Sequence, residues 1–435
     1  MEMLMQYMWE HRLWGARELA TNDGRRVRVI DPGRRNTDAG PDFFNAKVEI
    51  DGCLWAGNVE IHYRASDWHR HGHDDDPAYD TVVLHVVAKD DAPVVRANGE
   101  RIPQMVMECT AEIADRYAAL VNSTVELPCR QVIREMTSLD VAEWVQSLIF
   151  ERLADKSRRV KGLLDRFHGS WEDTCYVTLA RTIGFGTNSD AFEQWATALP
   201  LMQVAHHRDH PMQVEAMFLG TAGLLDVETM PQRQREAALS DAYFTALRRE
   251  YAYLAHKFSL TAMPRTAWRF MRLRPQNSPY IRLSQLATLY CSRRADLSRV
   301  ASCATLDEVG GALATEVGDY WRTHYSFGNE SKANAKRLSA ASVQLLVVNA
   351  VVPMLYAYGR HRQDETLIQR AATLMEELPP EDNTYIRLWK ECGVKAENAA
   401  DTQALIQLHR RYCERKECLR CRFGYYLLKG GSGSI

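Results

Sequence analysis

An Asp-Gly pair, Asp51-Gly52, separates two runs in which apolar and polar residues alternate. Phe44, Ala46, Val48 and Ile50 lead into it, and Cys53 to Tyr63 leads away. A two-residue Asp-Gly loop accepts positive φ at both positions and matches the twist of paired strands, so this stretch predicts a β-hairpin. A hairpin fixes register, and register decides which side chains share a face. Positions i and i+2 of a strand point the same way, so Glu60 and His62 project together from the second strand. Asp42, following Pro41 at the start of the first strand, can approach them across the ladder.

The segments around the hairpin extend this pattern. Leu4, Met5, Met8, Leu13 and Trp14 form a helical stripe over residues 3–14, and Val27 to Ile30 is a short strand closed by the turn Asp31-Pro32-Gly33. Thr81 to Val87 is a continuous β-branched run that suits a strand covered on both faces. Asn98-Gly99 marks a second hairpin, joining Val94–Arg96 to Arg101–Met107. From about Ser138 the texture changes to amphipathic helices, including Leu139–Asp155 and a long Arg233–His256. The expected class is α+β: a sheet-bearing domain over residues 1–125, an all-helical domain over 126–428, and a flexible linker-like tail over 429–435.

The 435 residues suffice for two or three cores, and the net charge of −2 gives no global attraction to nucleic acid, so such binding needs a local basic patch. The N-terminus lacks a basic region followed by an uninterrupted apolar run, as a secretory signal would have. Val343 to Tyr358 is too short to span a bilayer and carries Gln344, Asn349 and Pro353. A cytoplasmic protein with no membrane partner is expected. No dinucleotide fingerprint, nucleophile elbow, P-loop or HExxH is present.

Potential ligands crowd into Gly40–Val87. After Asp42, Glu60 and His62 come Asp67, His69, His71, His73, Asp74, Asp75, Asp76 and Asp80. Hydrolysis of a phosphodiester needs a divalent cation, acids to hold it and a group that orients or deprotonates water. Carboxylate oxygens suit Mg²⁺ or Mn²⁺. On that reading Asp42 and Glu60 hold the metal, His62 handles the water, and His69, His71 and His73 tune the site. His85, inside an apolar strand, reads as a core histidine. A β-barrel metal hydrolase using His62, His69, His71 and His85 is a competing arrangement.

The order helix, strand, Pro-Asp strand, Glu-x-basic strand resembles the restriction-endonuclease-like PD-(D/E)xK nuclease core. The resemblance implies a restriction-endonuclease-like α/β fold, with Asp42 as central metal-binding aspartate, Glu60 as second acid and Val59–His62 as catalytic strand. Glu10 would be the outlying helical acid of some members. His62 stands where that superfamily has lysine, and Lys47 on the neighbouring strand is the candidate to supply the missing charge. Asp67-Trp68-His69-Arg70-His71-Gly72-His73 is also similar to the Trp/His-rich segment of very-short-patch-repair-type nucleases. Across nearly its full length, through GPDF, GNVEIH, DW-H-H, LHVV and the terminal cysteines, the chain resembles an uncharacterised bacterial family catalogued only as a domain of unknown function.

Two further clusters stand apart. His409, Cys413, Cys418 and Cys421 have spacings that satisfy a closed tetrahedral Zn²⁺ site, with His409 and Cys413 one helical turn apart. An iron–sulfur cluster with Cys392 as fourth ligand is the alternative. The other seven cysteines, Cys129 among them, read as buried thiols. Trp268, Arg269, Arg272, Arg274 and Arg282 interleave arginines with aromatics and prolines, a pattern able to hold phosphates and stack on bases. The leading expectation is a metal-dependent nuclease. A non-catalytic nucleic-acid-binding or scaffold protein with a degenerate nuclease core, and a metal hydrolase of a small molecule, are the alternatives.

Overall fold

The computed structural model describes residues 1–430 except 16, 97 and 295. The expected tail therefore lies outside the described residues from 431 onward. The chain divides into two compact units, one formed by Met1–Val141 with His409–Ile435 and the other by Ala142–Leu408. The division falls later than residue 125, and the terminal cysteine segment returns to the sheet-bearing unit instead of ending the helical one. The architecture is mixed α+β, a sheet-rich N-terminal region followed by a large helical region.

The first unit opens with helix α1, Glu2–Glu10, which ends a turn earlier than the apolar stripe predicts. Seven strands follow: β1 (Leu19–Ala20), β2 (Arg26–Asp31), β3 (Arg34–Arg35), β4 (Phe43–Ile50), β5 (Cys53–Arg64), β6 (Val82–Lys89) and β7 (Gln104–Val106). The sheet order is β1-β2-β4-β5-β6-β7, with β3 on β4. β2, β4 and β5 pair antiparallel, whereas β5–β6 and β6–β7 are parallel. A bridge between Thr21 and Met105, with Asn22 N–H donating to the Gln104 carbonyl at 2.8 Å, brings the two edges of the sheet together.

The Asp-Gly hairpin is present as expected: Ile50 pairs with Cys53, and Asp51 and Gly52 have φ of 47° and 78°. Positive φ at both loop positions is the type I′ signature. The second expected hairpin shrinks to one bridge, Val95 to Arg101, because the residues after it pair parallel with β6 instead. β6 is buried on both faces from Val82 to Val87, as its β-branched run predicts. A bulge between Phe43 and Ala46, with Asn45 at φ 57°, interrupts β4 just after Asp42. Gly33 lies against this bulge at φ +85°, where a Cβ would stand 2.6 Å from the Phe44 carbonyl oxygen and 2.9 Å from Ala46 N. Gly33→Ala is expected to destabilise the unit by about 2 kcal/mol or more, read as a lowered Tm; an unchanged Tm contradicts this packing.

Parallel pairing of β5 with β6 requires a crossover. Residues 65–81 provide it through the short helix α2 (Asp67–Arg70) and a 3₁₀ turn at Pro77–Tyr79, whose start is capped by Asp76 accepting from Ala78 N–H at 2.9 Å. Trp68, Tyr79, Val82, Val94 and Ile102 form a small buried core beneath it. The histidine-rich segment is this crossover, so it is held over the C-terminal half of β5.

The second unit is built mainly of helices around one large core that includes Trp195, Phe218, Phe244 and Trp321. It also contains a two-stranded ribbon, His324–Ser326 with Asn329–Glu330, so it is not purely helical. The expected helix 233–256 is two helices, Gln232–Leu239 and Ala242–Phe258, because Asp241 caps the second by accepting from Phe244 N–H at 3.0 Å. The run 343–358 belongs to a 23-residue helix, Ala340–Arg362, long and apolar enough to cross a membrane; 56% of its most apolar window is buried inside the protein.

Candidate metal centre

Strand alternation places Glu60 and His62 on one face of β5, and both are buried, at 5% and 2% exposure. The crossover lowers His71 and His73 onto them. Ligand atoms of His62, His71 and His73 all lie within 4.8 Å of one another. His62 Nε2 is 3.2 Å from His71 Nδ1 and 3.3 Å from Glu60 Oε1, and Glu60 Oε1 is 3.5 Å from His73 Nε2. Ligands about 2.0–2.1 Å from a tetrahedral ion stand about 3.3 Å from each other. Three of the distances among these donors already have that spacing. His71 is exposed, so the cluster opens to solvent on one side.

Surrounding groups fix the donors. His62 Nδ1 is 3.0 Å from His85 Nε2 inside the core. For His62 Nε2 to offer a lone pair, its Nδ1 must carry the proton and donate to His85, an orienting contact of the kind that metal-bound histidines make. His73 stacks on Tyr79 with centroids 3.7 Å apart, and Trp68 meets His73 and His85, each at 5.3 Å. Burial, with His73 and His71 adding to it, pushes His62 down to about 3, and burial also lowers His73 and His85. These imidazoles are therefore neutral, the form that binds metals.

Asp42 completes the floor. Its N–H donates to Glu60 Oε2 at 2.9 Å, and its carboxylate accepts from Ile61 N–H at 3.0 Å and from Gln6 Nε2 at 2.9 Å. Burial, then the neighbouring Glu60 charge, raises Asp42 to about 7; burial, with a smaller push from Glu2, raises Glu60 to about 8. Among the described residues no lysine or arginine pairs with either carboxylate. A buried carboxyl, Glu60, and a half-buried one, Asp42, without a lysine or arginine partner are unfavourable when ionised together, and a bound cation removes that cost.

A carboxyl whose folded pKa lies above its unfolded value holds extra protons when folded, so its contribution to stability falls as pH rises toward the folded pKa. His62 has the opposite sign, but its contribution is complete above the ordinary imidazole value of 6.5. Metal-free protein is therefore expected to lose Tm from pH 6.5 to above the Glu60 value of about 8, with added divalent metal restoring more at the alkaline end. A Tm that is flat or rises over that range in chelator contradicts the paired-carboxylate geometry.

The remaining expected residues lie elsewhere. His69 is clipped outward, Nδ1 to Asp74 at 2.8 Å and Nε2 to the Pro93 carbonyl at 3.0 Å, so neither nitrogen faces the cluster. Lys47 is exposed and pairs with Ala56, four residues or about 13 Å along β5 from Glu60. Glu10 faces Arg35 at 3.6 Å; the α1 side chain that reaches the site is Gln6, one helical turn earlier. Both His62 nitrogens are engaged, Nδ1 with His85 and Nε2 with His71 and Glu60. His85 does belong to the core, as expected, but as the partner of His62.

In the helical unit Trp268 is buried, donates Nε1–H to the Ala222 carbonyl at 2.8 Å and packs edge-on to Phe192. Arg282 is buried too, bonded to Gln285 and Asn277 and lying 4.5 Å over the Phe185 ring, with burial lowering it to about 10. Neither can meet a nucleic acid. Arg269, Arg272 and Arg274 remain exposed. Of the C-terminal set, Cys413, Cys418 and Cys421 line one cavity, whereas His409 Nε2 lies 3.7 Å from Glu414 Oε1. Cys392 follows the helix Thr384–Glu391 in the other unit.

No curated protein and no solved structure matches this chain. A family model does, over residues 2–384, a range that contains every residue of the histidine–carboxylate centre and stops short of Cys413. The chain belongs to the family described as "Protein of unknown function (DUF2851)".

Proposed function

We propose that the first unit is a metal-dependent phosphodiester hydrolase of the cytoplasm, a nuclease acting on DNA or RNA, with His62, His71, His73 and Glu60 as metal ligands. The observation that carries this reading is the convergence of those four side chains with Asp42 on a solvent-reachable face. The order α1, β2, Pro-Asp strand β4, Glu-x-His strand β5 is the order by which the sequence resembles PD-(D/E)xK nucleases, and it supports a restriction-endonuclease-like core. The donor set argues for a change of metal. Three imidazoles suit Zn²⁺ or Fe²⁺ and the Glu60 oxygen suits Mn²⁺, whereas Mg²⁺ demands a shell of oxygens, so Zn²⁺ or Mn²⁺ replaces Mg²⁺ as the expected ion.

A divalent ion held there supplies positive charge for a phosphate oxygen and a water of lowered pKa. Asp42, tied to the ligand Glu60 through its own N–H, is the base that takes the water proton. The water oxygen forms the new bond to phosphorus, the bond to the leaving oxygen breaks, and that oxygen takes a proton from solvent at the open His71 side. Gln6 and Ile61 N–H hold the Asp42 carboxylate in place. Of the expected nucleic-acid-binding set, the exposed Arg269, Arg272 and Arg274 lie in the other unit.

The nitrogen-rich donors and the joined sheet edges also fit the alternative of a metal hydrolase acting on a small ester or phosphate. Incubation with plasmid, single-stranded DNA and RNA in Mn²⁺, Zn²⁺ or Mg²⁺, beside generic small phosphodiesters and esters, separates the two. Cleavage of nucleic acid that Asp42→Ala loses supports the nuclease reading; turnover of small substrates alone favours the alternative. Salt-sensitive binding without cleavage points to a scaffold with a degenerate core.

A further inference from the structure

The C-terminal cysteines share a cavity with a cysteine from far away in the sequence. Cys413, Cys418 and Cys421 line a cavity together with Cys129, and the remaining wall includes Leu120 and the stem of Lys416. The packing that brings them together is specific. Helix Arg422–Lys429 lies against both Ala111–Asn122 and Arg130–Glu135, the second of which Cys129 directly precedes. Lys416 Nζ donates to the Ser123 carbonyl at 2.9 Å and Arg116 to that of Leu428 at 3.4 Å, clipping the terminal segment in place. Gly424 is required there, because a Cβ would collide with the Cys418 carbonyl.

We propose that Cys129, Cys413, Cys418 and Cys421 together hold a thiophilic metal centre, with Cys129 in place of His409 as the fourth ligand. Four cysteines lining one small, mostly apolar hollow supply a complete ligand set for Zn²⁺ or for an iron–sulfur cluster, which share thiolate ligation. Four thiolates on the wall of one hollow repel one another unless a cation sits among them. Binding exchanges four S–H bonds for four metal–sulfur bonds and releases the protons to solvent. The centre would tie residue 129 to the terminal segment, stapling the return of the chain to the sheet-bearing unit. It is independent of the histidine–carboxylate site.

The test uses full-length protein carrying His71→Ala and His73→Ala, so that the other site contributes no metal. Metal content, acid-labile sulfide and the visible spectrum are measured after anaerobic purification, alongside Cys129→Ser and His409→Asn. The expected parent holds about one zinc without sulfide, or about four irons with equal sulfide; either supports the four-thiolate site and the sulfide identifies which. Cys129→Ser is expected to lose at least about ten-fold in metal retention against a chelator, while His409→Asn retains it. Should Cys129→Ser misfold, cobalt substitution of the parent counts the ligands: the charge-transfer intensity of four thiolates supports the assignment. A metal-free parent, retention unaffected by Cys129→Ser, or three thiolates with one nitrogen overturns it.

Discussion

Glu60→Gln is expected to weaken divalent-metal binding at the first unit by about 10²-fold or more and to remove metal-dependent hydrolysis with it. Glu60 is the only anionic member of the four-donor set, and its Oε1 stands 3.3 Å from His62 Nε2 and 3.5 Å from His73 Nε2. Its other oxygen accepts the Asp42 N–H, so the carboxylate also sets the start of β4 against β5. Glutamine preserves shape and one acceptor while deleting the charge, which separates metal neutralisation from packing. Because the charge is buried at a pKa of about 8 and has no lysine or arginine partner among the described residues, the variant is expected to be at least as stable as wild type without metal. Isothermal titration with Mn²⁺ or Zn²⁺, and Tm with and without metal, read both effects. Unchanged metal affinity would remove Glu60 from the centre.

The second large effect separates histidines that look alike in sequence. His71→Ala and His73→Ala are each expected to lower metal affinity by about 10²-fold, whereas His69→Ala leaves it unchanged. The structural reason is direction. His69 spends both nitrogens on Asp74 and Pro93, and its imidazolium is favoured by the hydrogen bond to Asp74. That pair is partly solvent-exposed, so its loss changes stability by no more than about 1 kcal/mol. His71 and His73 instead point back over β5 toward His62. Equal losses for all three would mean that the crossover packs differently on the sheet.

The hairpin was legible because its signals are local. Asp51-Gly52 dictates the turn, alternation dictates the faces, and Glu60 and His62 then share a face by the two-residue period. Asp42 was legible as the residue opposite them, although its exact partner, the N–H contact to Glu60, depends on the bulge at Asn45. Loop histidines carry no such periodicity; whether His69, His71 or His73 faces inward is decided by Trp68, Tyr79 and Asp74, contacts that only the folded crossover creates. Glu10 was expected through the resemblance, which looks for an acid on the first helix, whereas the side chain that bonds to Asp42 is the neutral Gln6 one turn earlier. Trp268 and Arg282 show the opposite failure: an aromatic–arginine pattern reads the same whether the groups stack on a ligand or on Phe192 and Phe185 in the core. Cys129 looked like an isolated thiol because its neighbours are remote in the chain. A packed helix, Arg422–Lys429, is what brings them to it.

The central claim is that one divalent cation sits among His62, His71, His73 and Glu60. Crystals grown with Zn²⁺ or Mn²⁺ and measured on both sides of the metal absorption edge test it directly. A strong anomalous peak is expected about 2.0–2.3 Å from His62 Nε2, His71 Nδ1, His73 Nε2 and a Glu60 oxygen, separate from any peak at the cysteines, with His69 remaining on Asp74. A peak bound to His69 instead, or no peak within reach of Glu60 and His62 at saturating metal, would contradict it.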